Sequence, residues 1–142
     1  MSCSDRDPDC IFCKIVAGEI PSHKVYEDDD VLAFLDIAPT IQGHTLVIPK
    51  RHCPTLIETP PETLRKVAAV IRRVLTAVVD ATDADGSNVL QSNGACAGQV
   101  VRHVHFHLVP RREGDHLTLG SRQSDPVEDD LAARAESIRA AM

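Results

Sequence analysis

The segment His103-Val104-His105-Phe106-His107-Leu108-Val109 places three imidazoles at every second position. Side chains alternate along an extended strand, so this spacing predicts one imidazole face, with about 7 Å between successive histidines, and one apolar face of Val104, Phe106 and Leu108. Three imidazoles buried together are costly unless partnered. Two chemistries suit such a face. Histidines can share a metal ion, or a neutral imidazole can attack an electrophile while its neighbour moves a proton. A strand face that merely exposes its histidines to water is the non-functional alternative.

Cys10-Ile11-Phe12-Cys13 is the second group with chemical potential. Its spacing suits a zinc knuckle or a redox pair, and equally two small buried residues. A thioredoxin-like pair belongs in a βαβ setting, and no such pattern precedes Cys10. Zinc would need two further ligands. Asp36 shares a predicted strand face with Leu32 and Phe34, offering a ring and a carboxylate side by side, although an acid that merely ends the strand reads the same way. Asn93-Gly94 and Gly98-Gln99 read on composition as ordinary loop. Asp28-Asp29-Asp30 reads as a solvated turn, and neither a Walker lysine loop nor a dinucleotide fingerprint is present.

The elements that must position these groups follow from hydrophobic pattern. Cys10 to Ala17 reads as one or two helical turns stopped by Gly18. Lys24 to Glu27 and Val31 to Leu35 read as a hairpin. His44 to Ile48 is a strand ended by Pro49. Thr59-Pro60-Pro61 starts a long helix, Glu62 to Ala81, with an apolar stripe of Leu64, Val67, Ala68, Ile71, Val74, Leu75 and Val78. Asn88 to Gln91 and Val100 to Pro110 read as strands. Arg111 to Ser124 reads as loop, and Pro126 to Ala140 has helical composition. Short turns between strands imply an antiparallel sheet with helices packed against it, an α+β layer architecture.

Composition bounds the rest. The chain has 142 residues, enough for one domain with a core, and with three Phe, one Tyr and no Trp that core must be aliphatic. No run approaches the ~20 apolar residues of a membrane span. Residues 1–9 are polar and acidic, which predicts a disordered leader and not a signal peptide. Five cysteines, an odd number, argue against a disulfide scaffold and for a reducing, cytoplasmic setting. Cys3, Cys53 and Cys96 have no partner identifiable in the sequence, and His23 and His116 read as surface histidines. A formal net charge of −6 disfavours sequence-independent nucleic-acid binding, so any bound phosphate needs local donors.

Taken in order, the triad, Asn93-Gly94, Gly98-Gln99, Phe34-Leu35-Asp36-Ile37 and Gly43-His44-Thr45-Leu46-Val47-Ile48-Pro49-Lys50 resemble the histidine triad (HIT) family, in its Hint-like branch. The resemblance covers about residues 10 to 112, leaving a leader and a tail, 113–142, outside it. It implies an α+β domain, a homodimer, and a hydrolase or nucleotidyl transferase acting at the α-phosphate of purine nucleotide derivatives such as phosphoramidates. By resemblance, His105 is the nucleophile that forms a nucleotidyl adduct, and His107 bonds the phosphate with His44 nearby. Gln99 and Val100 supply backbone donors from the Gly98 loop, and Asn93 lies close by. Asp36 takes the ribose hydroxyls, and Ile11, Phe12, Phe34 and Ile37 line the base pocket. Many Hint-like chains carry Ser where this one has Val100, so a hydroxyl contact is lost. Zinc-bearing relatives imply a structural Zn²⁺ held by Cys10, Cys13, His52 and His103, which would leave His105 and His107 free for phosphate. A dinucleoside polyphosphate hydrolase and a non-catalytic nucleotide-binding regulator or zinc adaptor are the competing functions.

Overall fold

The computed structural model describes residues 3–119 and 125–142. The elements run α1 (Ile11–Val16), β1 (Lys24–Glu27), β2 (Val31–Leu35), β3 (Thr45–Pro49), α2 (Pro61–Thr82), β4 (Gly86–Leu90), a 3₁₀ turn (Ala95–Ala97), β5 (Phe106–Arg111) and α3 (Leu131–Ala140). The five strands form one sheet, ordered β1-β2-β3-β5-β4, and every neighbouring pair is antiparallel. This is the expected α+β arrangement.

The hairpin between β1 and β2 closes on the acid run. The Asp28 carboxylate accepts the N–H groups of Asp30 and Val31 at 2.8 Å each and the Tyr26 hydroxyl at 2.7 Å. Every residue of β2 and β3 is buried, because both faces of the sheet are covered. On one face Val31, Ala33, Leu35, Val47 and Leu108 meet α2 and α3; on the other Leu32, Phe34, Leu46 and Ile48 meet Phe12, Cys13 and Ile15 of α1. Helix α2 turns Val67, Val70, Val74, Ala77 and Val78 inward. The expected stripe is therefore rotated: Ala68 is exposed, and Leu64, Ile71 and Leu75 are only half-buried. Helix α3, N-capped by the Asp130 carboxylate, docks through buried Ala135 and Ile138. The expected loop from Arg111 to Ser124 is described as far as residue 119; residues 120–124 lie outside the described residues.

Three expectations are corrected. The last strand begins at Phe106, not Val100. His103 and His105 precede it, and the Val104 N–H pairs with the Cys53 carbonyl (2.7 Å) rather than with a strand. Residues 3–9 are not a free leader: Ser4 and His52 form an antiparallel bridge, Ser4 N–H to His52 O at 2.8 Å and His52 N–H to Ser4 O at 2.9 Å. Cys3 and Cys53, flanking that bridge, are joined as a disulfide. Proximity across 50 residues is invisible to cysteine counting, because three thiols remain free and the total stays odd.

Candidate active site and metal centre

The start of α1 sets one half of the site. Cys10 is the N-cap, and its Sγ accepts the Cys13 N–H at 3.4 Å, so one helical turn brings the two thiols to the same side. Opposite them, His103 donates its Nε2–H to the Pro49 carbonyl at 2.8 Å, because a carbonyl only accepts. The His103 Nδ1 lone pair is thereby turned to the thiols, lying 3.5 Å from Cys10 Sγ and 3.6 Å from Cys13 Sγ. His52 Nδ1 completes the group, 3.4 Å from Cys13 Sγ and 3.2 Å from His103 Nδ1. A tetrahedral zinc with Zn–S of about 2.3 Å and Zn–N of about 2.05 Å separates S and N by about 3.55 Å and two N by about 3.35 Å. The observed edges match these within about 0.2 Å, and all four residues are buried. The set fits zinc with no position left open.

Burial holds His103 down to about 4, neutral as a ligand must be. The Cys10 thiol is pushed the other way, up to about 11, by the same desolvation. Without a cation the Cys10 thiol stays protonated, so metal capture must displace its proton.

The other half of the site is a chain of hydrogen bonds whose proton positions can be read off. His105 Nδ1 lies 2.7 Å from the His103 carbonyl and must donate to it, which leaves the Nε2 lone pair free. The backbone N–H of Thr40 donates to His44 Nδ1 at 3.2 Å. His44 therefore carries its proton on Nε2 and donates it to His107 Nδ1 at 2.8 Å. His107 in turn keeps its proton on Nε2. One imidazole presents a lone pair and its neighbour a donor, with ring centroids 5.0 Å apart.

Burial lowers the basicity of His44 and His105, and takes His107 to about 3 with help from the neighbouring His44 and His105. All three are neutral near pH 7. The Asp36 carboxylate partly opposes this at His44, standing 3.7 Å from its Nε2.

Gly43 lets the chain deliver His44. Its φ is +93°, and a Cβ there would stand 2.7 Å from Thr82 Cγ2 and 3.3 Å from Pro110 Cγ. Only glycine meets both demands.

His44, Gly98, Gln99, Val100 and His107 line a cavity of 330 Å³. Leu90, Val109 and Leu117–Leu119 form the rest of its wall that matters here, and the last three lie in the tail beyond the resemblance. Arg111 fixes that segment: it pairs with Asp115 at 2.8 and 2.9 Å and donates to the Leu117 carbonyl at 2.8 Å. No sequence signal marked these residues, because their role depends on where β5 ends.

The remaining predicted residues sit less simply. The Gln99 N–H is already bonded to the Gly94 carbonyl, and its side chain bonds the carbonyls of Pro54 and Val101 and the Gly94 N–H. Among the described residues the Val100 N–H has no recorded partner, while its side chain is 92% exposed. Asn93 accepts the Leu56 N–H at 2.8 Å, tying two loops together and not facing the cavity. One Asp36 oxygen accepts the Ala38 N–H at 2.9 Å, as a turn acid would. Phe12 is buried, edge-on to Phe34, His103 and His105 with centroids 5.2–5.9 Å apart, so it packs between the two halves of the site. Ile11 and Ile37 are exposed. His116 is exposed and His23 half-buried, and Cys96 is an exposed thiol.

The five-stranded antiparallel α+β domain thus carries an imidazole lone pair beside an imidazole donor. A HIT domain model matches residues 17–114, and the chain belongs to the HIT family. It is 50% identical over 109 residues to the adenylylsulfatase HINT3 of Arabidopsis thaliana, covering 77% of this chain but only 55% of that protein. It is 48% identical over 107 residues to the adenosine 5'-monophosphoramidase HNT1 of Saccharomyces cerevisiae, covering 75% of this chain and 65% of that one. The chain thus spans just over half the length of the plant relative and about two thirds of the yeast one. A zinc-bound histidine triad protein from Mycobacterium smegmatis superposes with a TM-score of 0.85 at 42% identity, covering 94% of this chain and 92% of that one. Among the described residues no helix is long and apolar enough to cross a membrane.

Proposed function

We propose that this protein hydrolyses, or transfers the nucleotidyl group of, purine nucleotide derivatives at the α-phosphorus, with nucleoside phosphoramidates as the favoured substrate class. The observation that carries the reading is the His105 Nδ1–H bond to the His103 carbonyl, which fixes an unprotonated Nε2 on a buried imidazole. A protein that only bound nucleotides would not need that lone pair.

In the proposed reaction, His105 Nε2 attacks the α-phosphorus and the bond to the leaving amine breaks. His107 Nε2–H hydrogen-bonds the phosphate, held in that tautomer by the bond from His44 Nε2–H to its Nδ1, and the departing nitrogen takes its proton from water. Water then attacks the phosphorus of the nucleotidyl-histidine, releasing the monophosphate and the free imidazole. The Val100 N–H is the backbone donor available to the phosphate oxygens. Asp36 keeps one oxygen for a ribose hydroxyl. Zinc held by Cys10, Cys13, His52 and His103 would contribute folding energy and no chemistry, because four protein ligands close its shell. By fixing His103, those residues also fix the carbonyl that orients His105.

We also propose a homodimer. On this reading the second copy would cover Ala68 and the half-buried Leu64, Ile71 and Leu75 on α2 and the β4 sheet edge, where Val89 is 47% exposed.

Parallel turnover of adenosine phosphoramidate and diadenosine polyphosphates tests the function, with His105→Ala as the control. The parent should prefer the phosphoramidate, and acid quenching should trap a nucleotidyl adduct on the peptide containing His105. His105→Ala should lose about 10⁴-fold in turnover while binding adenosine monophosphate nearly as well. Preference for the polyphosphates would reassign the substrate class. An adduct on His107, or substantial activity in the variant, would overturn the mechanism.

A further inference from the structure

The chemistry above makes no use of residues 3–9, yet they lie against the metal ligands. The Ser4–His52 bridge holds the backbone of one ligand with two hydrogen bonds, 2.8 and 2.9 Å. Three residues on, the Asp7 N–H donates to Cys13 Sγ at 3.4 Å, and the Asp7 carboxylate stands 3.7 Å from His52 Nε2. The segment thus touches two of the four ligands from outside. Its anchor is the Cys3–Cys53 bond immediately beyond the bridge. Cys53 is fully buried and Cys3 half-buried, so an exchanging thiol reaches the bond from the Cys3 side. Cys10 and Cys13 are buried and committed to the metal group, and so are shielded from the same exchange.

We propose that Cys3 and Cys53 are a thiol–disulfide exchange pair that latches residues 4–9 over the Cys10, Cys13, His52 and His103 centre and slows escape of its metal. The inference rests on the reading of those four residues as zinc ligands.

The chemistry is ordinary exchange with a low-molecular-weight disulfide. The Cys3 thiolate attacks one sulfur of the reagent, forming a mixed disulfide and releasing one thiol. Cys53 then attacks the Cys3 sulfur, closing the protein disulfide and releasing the second thiol. The protein loses two electrons and two protons, and the reagent gains them. A dithiol reverses both steps.

With the latch open, the Ser4–His52 backbone bridge, the Asp7 N–H···Sγ contact and the exposed Arg6–Glu19 ion pair at 2.6 Å remain to hold the segment. The Asp7 carboxylate then spends less time beside His52. Loss of an outer-shell partner of this kind typically weakens metal retention by about 10–100-fold, so a change on the order of 10-fold is expected for partial loss.

The test uses the full-length, zinc-loaded chain. One sample is oxidised with glutathione disulfide. Another is reduced with a phosphine and desalted without oxygen. Transfer of zinc to a chromophoric chelator is timed for each, and peptide mapping locates the disulfide. The cross-linked form should release zinc about 10-fold more slowly than the reduced form. Cys3→Ser should release zinc as fast as the reduced parent and ignore the oxidant. Equal rates in the two parent samples, an oxidant response that survives Cys3→Ser, or a mapped disulfide other than Cys3–Cys53 would overturn the latch while leaving the zinc reading intact. Failure to bind one zinc per chain in either state would overturn both.

Discussion

Acidification from about pH 7.5 to about pH 5 should destabilise this protein through His107 in particular. Burial and the neighbouring His44 and His105 hold that imidazole neutral down to about 3 in the folded chain. In the unfolded chain it titrates near 6.5. Above 6.5 both states are neutral and the residue contributes nothing to the pH dependence. Below 6.5 the unfolded state takes up a proton that the folded state refuses, so stability falls with pH across the window from about 6.5 to about 3. At pH 5 the unfolded imidazole is about 1.5 units below its pKa, and at 1.36 kcal/mol per unit the loss is about 2 kcal/mol. The folded value hardly enters this figure as long as it lies well below 5. Urea unfolding at both pH values, on the parent and on His107→Gln, isolates the residue. The parent should lose about 2 kcal/mol more than the variant between the two conditions. An identical pH dependence in the two proteins would refute the assignment of a buried, neutral His107 and the proton order built on it.

Removing zinc with a chelator should lower the melting temperature and increase proteolysis near α1, and adding zinc back should restore both; a chain that melts identically with and without metal would contradict a structural centre. Gly43→Ala should cost about 2–3 kcal/mol, from the positive φ and from contact with Thr82 Cγ2, and adding Thr82→Ser to it should recover part of that by removing the methyl; thermal unfolding of the two single variants and the double variant decides this. Light scattering at micromolar concentration should report twice the chain mass, and Ile71→Glu should shift it to the monomer; a monomeric parent would contradict the homodimer.

Much of this protein was readable along the chain. The hairpin ranges and the long helix follow from period-2 and period-3.6 apolar spacing, which are local consequences of backbone geometry. Cys10, Cys13, His52 and His103 were singled out through resemblance to zinc-bearing relatives, and the structure brings their ligand atoms within 4.8 Å of one another. What the sequence could not give were facts of long-range proximity. Strand alternation put His103, His105 and His107 on one face, but the ladder begins only at Phe106, and the chain before it bends so that His103 reaches α1 while its carbonyl aims His105. The proton order of His44 and His107 depends on Thr40, whose N–H and hydroxyl lie 3.2 and 3.4 Å from His44 Nδ1 only once the loop between them is folded. Cys3 and Cys53 meet across 50 residues because the bridge between Ser4 and His52 sets them side by side. The cavity wall at Leu117 exists because Arg111 and Asp115 clamp a polar tail with no periodicity of its own. Local spacing thus determined which chemical groups the chain carries and which elements bear them. Tertiary packing alone decided which lone pair, donor and thiol come within bonding distance, because hydrogen bonds and sulfur contacts act over about 3 Å and depend on the folded geometry of distant segments.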